Sequence, residues 1–208
     1  KNINKNLEKV CKKINCSRNK LILLNQVHSN KVISINTIPK KKPVGDSLIT
    51  SSKKIALGIL TADCAPIFVF DPKLKIIAAI HVGWKGAYKK IVYKTLNVLK
   101  KRGSNVQDLI VIIGPCISKN RYEVKKDFLK KFLNQSKRNR HFFYFYKKKI
   151  FFCLNGYIKS QLKDIGIKNI EIINKDTYLT KNNFFSYRRS LKNKYYDYGR
   201  NISVIMIK

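Results

Sequence analysis

The sequence predicts an α+β fold, a single domain over residues 1–208 in which mixed β-sheets are flanked by helices. Three observations point there. Strand-length apolar runs outnumber segments of helical period. The two kinds do not alternate as regular βαβ units, which argues against a doubly wound parallel sheet. A chain of 208 residues that is 44% hydrophobic can also bury one sizeable core.

The elements follow in order. Ile3, Leu7, Val10, Cys11 and Ile14 recur at helical spacing and predict a helix over residues 3–15. Strands are expected at 21–27 and 31–36. Lys40–Pro43 reads as a loop, and GDSLIT (45–50) as a turn entering a short strand. IALGILT (55–61) and PIFVFDP (66–72) read as strands, the second closed by an Asp71-Pro72 turn. KIIAAIHV (75–82) is a continuous apolar run, as expected of a strand covered on both faces. Gly83 and Gly86 open one helix to about residue 101, which buries Ala87, Ile91, Val92, Thr95, Leu96 and Leu99 and stops at Gly103. DLIVIIGP (108–115) is a further buried strand. Helices are expected at 125–135 and 150–165, and strands at 167–173 and 201–208. The basic, aromatic segment 136–149 is the least regular. Its aromatics are expected to pack a short strand into the core rather than to meet single-stranded nucleic acid.

Composition narrows the function classes. The five cysteines are odd in number, scattered and without a CxxC pair, which fits a reducing compartment rather than a disulfide framework. No apolar stretch is long enough to span a membrane, and the polar start lacks a signal region, so a cytoplasmic protein with no membrane partner is expected. The net charge of +34 would attract anions. Lysine dominates it, spread along nearly the whole chain beside abundant Asn and Ile. We therefore read it as compositional bias, and expect no nucleic-acid partner.

The chemistry-bearing residues sit at the ends of apolar runs. His28 closes LILLNQVH, Cys64 lies in ILTADCAPIFVF, and His81 in IIAAIHVGWKG. Two His and one Cys form a ligand set that leaves a zinc position open for water or substrate. Their wide separation in sequence argues against a zinc finger. A small core cysteine and a hydrogen-bonded histidine are the plainer reading of each residue alone. Asp46 in GDS and Asp63 beside Cys64 are candidate acid–base or ligand-orienting carboxylates. Lys85 follows HVGW. Arg188, Arg189 and Arg200 in FFSYRRS and YGRN are candidate phosphate contacts. Cys116 reads as packing, and His141 as solvated. Two other readings stand beside a metal enzyme. Cys64 and His81 could form the nucleophile and base of a cysteine hydrolase, or the chain could be a polyanion-binding protein.

Six segments in order, QVHSNKV, GDSLIT, LTADCAPIFVFDP, AAIHVGWKGA, IGPCIS with RYEV, and FFSYRRS with YGRN, resemble the laccase-domain family. Its members were first described as multicopper polyphenol oxidases and then as purine nucleoside phosphorylases with adenosine deaminase activity. The resemblance implies a zinc ion on His28, Cys64 and His81. It implies phosphorolysis of adenosine, inosine and methylthioadenosine, and deamination of adenosine. Copper fits less well, because a multicopper site needs more histidines than the one left, His141. This sequence departs from the family pattern in four places. Lys85 replaces an arginine, and Asp176-Thr177 stands where a CT pair is expected. SLKNKYYDY lengthens the turn after the two arginines, and the family's N-terminal strands, expected ahead of Lys1, are not among these residues.

Overall fold

The structure is a computed structural model and describes residues 2–195 and 198–208. Its helices are α1 (Asn2–Lys13), α2 (Trp84–Tyr88), α3 (Ile91–Lys101), α4 (Lys126–Gln135), α5 (Leu154–Asp164) and α6 (Tyr187–Lys192). The strands are β1 (Leu21–Leu23), β2 (Val32–Ser34), β3 (Ser47–Thr50), β4 (Ala56–Thr61), β5 (Ala65–Asp71) and β6 (Ile76–Val82), then β7 (Ile110–Ile113), β8 (Glu123–Val124), β9 (Phe143–Tyr146), β10 (Lys149–Phe152), β11 (Asn169–Ile172) and β12 (Asn201–Met206). They form the expected α+β domain of mixed sheets.

A six-stranded sheet ordered β11-β7-β5-β6-β3-β2 is the centre of the fold. Its inner pairs are antiparallel, and its outer pairs β11–β7 and β2–β3 are parallel. β6 is buried throughout because both faces are covered. On one face Ala78, Ile80 and Val82 meet α3 and α5 in the largest core cluster. On the other, Ile77 and Ala79 meet Leu24, Leu57 and Ile59, which bring in the three-stranded sheet β1-β4-β12. His81 has the register of Ile77 and Ala79, so the alternation of a strand aims it between the two sheets. Leu7 and Cys11 of α1 cover the far face of the small sheet with Leu21 and Ala56. Ile3, expected on that buried face, stays exposed at the helix start.

The structure corrects the expected helix from Gly83 to residue 101, which is two helices. Lys90, at φ 57°, breaks it without any Gly or Pro. The cause is tertiary. Gln161 Nε2 donates to the Ala87 carbonyl at 3.0 Å, Gln135 Nε2 to that of Tyr88 at 3.0 Å, and Asn30 Nδ2 to that of Lys89 at 2.9 Å. With those acceptors taken from outside, the chain does not need a continuing helix to satisfy them. The expected helix at 150–165 begins only at Leu154. Before it, the KIFF of β10 pairs antiparallel with β9 and buries Ile150 and Phe152 among aromatic rings, as suits aromatic and β-branched side chains.

The β9–β10 turn holds Lys147 at φ 44° and Lys148 at φ 60°. A two-residue hairpin with both residues left-handed favours Asn-Gly, and lysine resists it. Replacing the pair by Asn-Gly should add about 1 kcal/mol and raise the melting temperature by roughly 2–4 °C in a calorimetric scan. Among the described residues no helix is long and apolar enough to cross a membrane.

Candidate metal centre

The loop leaving β1, the β4–β5 turn and the end of β6 converge between the two sheets. His28 sits in the first at φ 56°, a left-handed conformation seldom adopted by residues other than Gly. Three successive amides hold that loop to Asp46, those of Val27 at 3.4 Å, His28 at 3.0 Å and Ser29 at 2.6 Å. The Ser29 hydroxyl donates to the same carboxylate at 2.7 Å. His81 Nδ1 meets it from the other side at 2.8 Å, and the His81 amide donates to the Asp46 carbonyl at 2.7 Å. Asp46 is fully buried. It thus fixes the backbone of one histidine and the ring of the other.

His81 consequently spends Nδ1 on Asp46 and offers Nε2. A carboxylate behind a histidine in this way orients a metal ligand and sets its tautomer. The donor atoms of His28, Cys64 and His81 lie within 4.8 Å of one another, with Cys64 Sγ 3.9 Å from His28 Nε2. Ligands on a tetrahedral ion with bonds of about 2.0–2.3 Å stand roughly 3.5 Å apart, so a shift of about 1 Å at the widest edge closes the set. The group could therefore hold a metal ion. Among the described residues it is the one such group of His, Cys, Asp and Glu.

The electrostatics favour the thiolate that a metal requires, while His81 keeps a proton near neutrality that a metal on Nε2 would displace. Burial works to raise the Cys64 pKa, but hydrogen bonding and charge from His28 and His81 prevail and lower it to about 7. The thiolate that a metal requires is thus accessible near neutrality. Burial alone would lower the His81 pKa, yet Asp46 and Cys64 carry it up to about 9. For Asp46 the cost of burial is outweighed by His81 and Ser29, which bring its pKa down to about 2.

Gly83, two residues after His81, leaves space for the trio. A Cβ there would stand 2.8 Å from Cys64 Sγ and 3.0 Å from His28 Cδ2. Gly83→Ala should push both side chains, cost about 1–3 kcal/mol in urea unfolding, and weaken any metal binding measured by chelator competition.

Asp63 occupies the Cys64 turn at φ 82° and points away from the trio. Its carboxylate accepts from Thr177 Oγ1 at 2.7 Å and from the Arg188 amide at 2.6 Å, tying the turn to α6. Asp176 accepts from the Ser118 hydroxyl at 2.7 Å and holds the neighbouring loop. The Asp176-Thr177 pair thus supports the site from behind. These contacts join residues more than fifty positions apart, and sequence spacing carries no signal of them.

Two cavities flank the trio and share His28, Ala62, Cys64 and Tyr187. The larger, about 520 Å³, reaches Gln26, Tyr198 and the exposed Arg200. The smaller, about 280 Å³, is lined by Trp84, Lys85, Tyr122 and Arg188. The expected phosphate contacts are therefore divided, with Lys85 and Arg188 on one side and Arg200 on the other. Arg188 Nη1 also donates to the Glu123 carbonyl at 2.7 Å, while Arg189 donates to the carbonyls of Thr177, Tyr178 and Phe184 and is committed to structure. Tyr122, Tyr187 and Trp84 were not among the expected site residues, and only their membership of the RYEV, SYRR and HVGW motifs hints at them. His141 is exposed and lines a separate polar pocket. Cys116 is buried, as expected of packing. Tyr196 and Asp197 of the lengthened turn lie outside the described residues.

Fold and site together define a mixed-sheet α+β protein with a His–Cys–His candidate metal centre set between two cavities. The chain belongs to the family described as multi-copper polyphenol oxidoreductase laccase, whose model matches residues 1–208. It is 34% identical over 172 residues to a purine nucleoside phosphorylase of Rickettsia conorii, covering 82% of this chain and 71% of that one. It is 32% identical over 190 residues to a purine nucleoside phosphorylase of Rickettsia prowazekii, covering 90% of this chain and 78% of the relative. Among solved structures, the hypothetical protein YfiH of Bacillus licheniformis has the same fold, with a TM-score of 0.88 at 24% identity over 98% of this chain and 80% of that one.

Proposed function

We propose that residues 1–208 act as one catalytic unit, a zinc-dependent purine nucleoside phosphorylase. It would convert adenosine, inosine or methylthioadenosine and phosphate to the free base and the ribose 1-phosphate, or its methylthio analogue. The observation that carries this reading is the pair of cavities that meet at His28 and Cys64, with His81 lining the larger and basic side chains in both. A two-substrate reaction needs one place for the nucleoside and one for the anion. The larger cavity is of a size that takes a small ligand. Tyr187 and Tyr198, 5.1 Å apart there, offer ring faces to a purine. Lys85 and Arg188 in the smaller cavity would draw phosphate, although Lys85 lacks the bidentate fork of arginine. The named activity of the Rickettsia relatives supports the same assignment.

Zinc held by His28, Cys64 and His81 would supply Lewis acidity to the reacting centre. Asp46 and Asp63 act as positioning residues, because Asp46 orients the two histidines and Asp63 orients the Cys64 turn. Adenosine deamination is assigned to the same centre as a second activity. The test is turnover of adenosine and inosine with and without phosphate, on protein whose metal content has been measured. Phosphate-dependent release of base with about one zinc per chain is expected. A zinc-free protein with full activity would end the proposal.

One observation favours a second reading. Asp46, His81 and Cys64 line up as carboxylate, imidazole and thiol, the order of a cysteine hydrolase triad. The second imidazole, His28, has no part in such a triad and suits a metal. Alkylation at Cys64 separates the two. A nucleophilic thiol reacts with or without chelator, while a zinc ligand is protected until the metal is removed.

A further inference from the structure

The proposed reaction makes no use of the small sheet β8-β10-β9, whose outer face is open. Side chains of β9 alternate in direction along the strand. Phe143 enters the core, while Tyr144 and Tyr146 stand on the opposite face beside their cross-strand partners Phe151 and Lys149. Tyr144 is 42% exposed and Tyr146 64%, and Phe145 on the inner register is still 51% exposed at the edge. The expectation that these aromatics pack in the core therefore holds for Phe143 and fails for the next three residues.

Cations attend the exposed rings. Lys119 Nζ lies 4.3 Å from the Tyr144 ring centre and Lys147 Nζ 5.4 Å from that of Tyr146. Arg140 covers Phe145 at 4.1 Å. Glu123 is the acidic residue of these three strands, and Lys149 pairs with it at 3.0 Å. The left-handed turn adds Lys148 beside Lys147 at the hairpin tip. Apolar surface left open beside such a charge marks a contact surface.

We propose that this outer sheet face binds single-stranded nucleic acid, with bases stacking on Tyr144 and Tyr146 and phosphates meeting Lys119, Lys147 and Lys148. The chemistry selects the partner. Two residues apart on one strand, the tyrosines stand about 6.8 Å apart, within reach of neighbouring nucleotides of an unstacked strand. Every base has a face to stack, and lysines within reach of the rings can neutralise the phosphates between them. A duplex hides its bases and would use the charge alone. A membrane would need an apolar tip to enter the bilayer, and this tip is Lys147–Lys148. The net charge of +34 adds long-range attraction for the same polyanion.

The test is fluorescence anisotropy of a labelled oligouridylate of about a dozen nucleotides, titrated with the full chain at several salt concentrations. Tyr144→Ala with Tyr146→Ala is expected to weaken binding about 30-fold, while the Phe pair at these positions stays within about threefold. Lys147→Asn with Lys148→Gly removes two phosphate contacts and should flatten the log–log salt slope by about 1.4. Affinity unchanged in the alanine pair, or equal loss in the phenylalanine pair, overturns the proposal. So does capture by phosphatidylglycerol vesicles without binding to the oligonucleotide. If the alanine pair fails to fold, the salt slope of the turn variant decides, and an unchanged slope counts against the platform.

Discussion

Cys64→Ser is expected to abolish both metal binding and turnover. A serine hydroxyl stays protonated near neutrality, whereas the Cys64 thiol is brought to about 7 by the two imidazoles beside it. The substitution removes the soft, anionic member of the ligand set and leaves two neutral nitrogens, a pair too weak for a catalytic zinc site. Metal analysis should fall from about one ion per chain to background. Base release from adenosine should drop about a thousandfold or more, the several kcal/mol that a Lewis acid contributes to a transition state. The fold should survive, because Cys64 lies at the mouth of two cavities and outside the three buried apolar clusters. A variant that melts like the wild type yet holds no zinc and shows no turnover would separate chemistry from stability. Unchanged turnover would remove the metal from the mechanism.

The parts of this site legible in the sequence were those whose signal is local. His28, Cys64 and His81 end apolar runs, and a strand end between two packed sheets is where a ligand can be held rigidly while still facing solvent. Their mutual distance was not legible, because it depends on how β1 and β4 of one sheet pack against β6 of another. The same division runs through the fold. β6 announces itself as six buried apolar or small residues with His81 among them. The break at Lys90 does not, since three side chains from 30, 135 and 161 make it. The 150–165 segment misled for a related reason: KIFF fits a helix or a strand, and only its pairing partner β9 decides. The basic residues were legible as charges but not as a set, because Lys85 and Arg188 fall on one side of Cys64 and Arg200 on the other.

Asp46→Asn should produce the second large effect, and of a different kind. The carboxylate accepts from Val27, His28 and Ser29 amides, the Ser29 hydroxyl and His81 Nδ1, all donors. An asparagine of the same shape keeps one acceptor oxygen and turns an NH2 toward the remaining donors. Whichever way the amide flips, at least one buried donor loses its partner, at a cost of about 1–3 kcal/mol. If the amide turns its nitrogen to His81, Nδ1 must become the acceptor. The ring proton then moves to Nε2, where it blocks the metal. If it turns instead to Ser29, the Val27 and Ser29 amides lose their acceptor, and the left-handed His28 between them, at φ 56°, can relax. Either route loosens a ligand without removing it, so zinc affinity measured by chelator competition should weaken about 10–100-fold. Added zinc should then restore much of the turnover, which it cannot do for Cys64→Ser. Ser29→Ala is the matched control. It deletes a hydroxyl donor to Asp46 and an acceptor for the Lys31 amide, and leaves the Asp46–His81 contact in place. If Ser29→Ala weakened zinc as much as Asp46→Asn, the effect would be general loosening of the loop, and the carboxylate would have no special part in orienting His81.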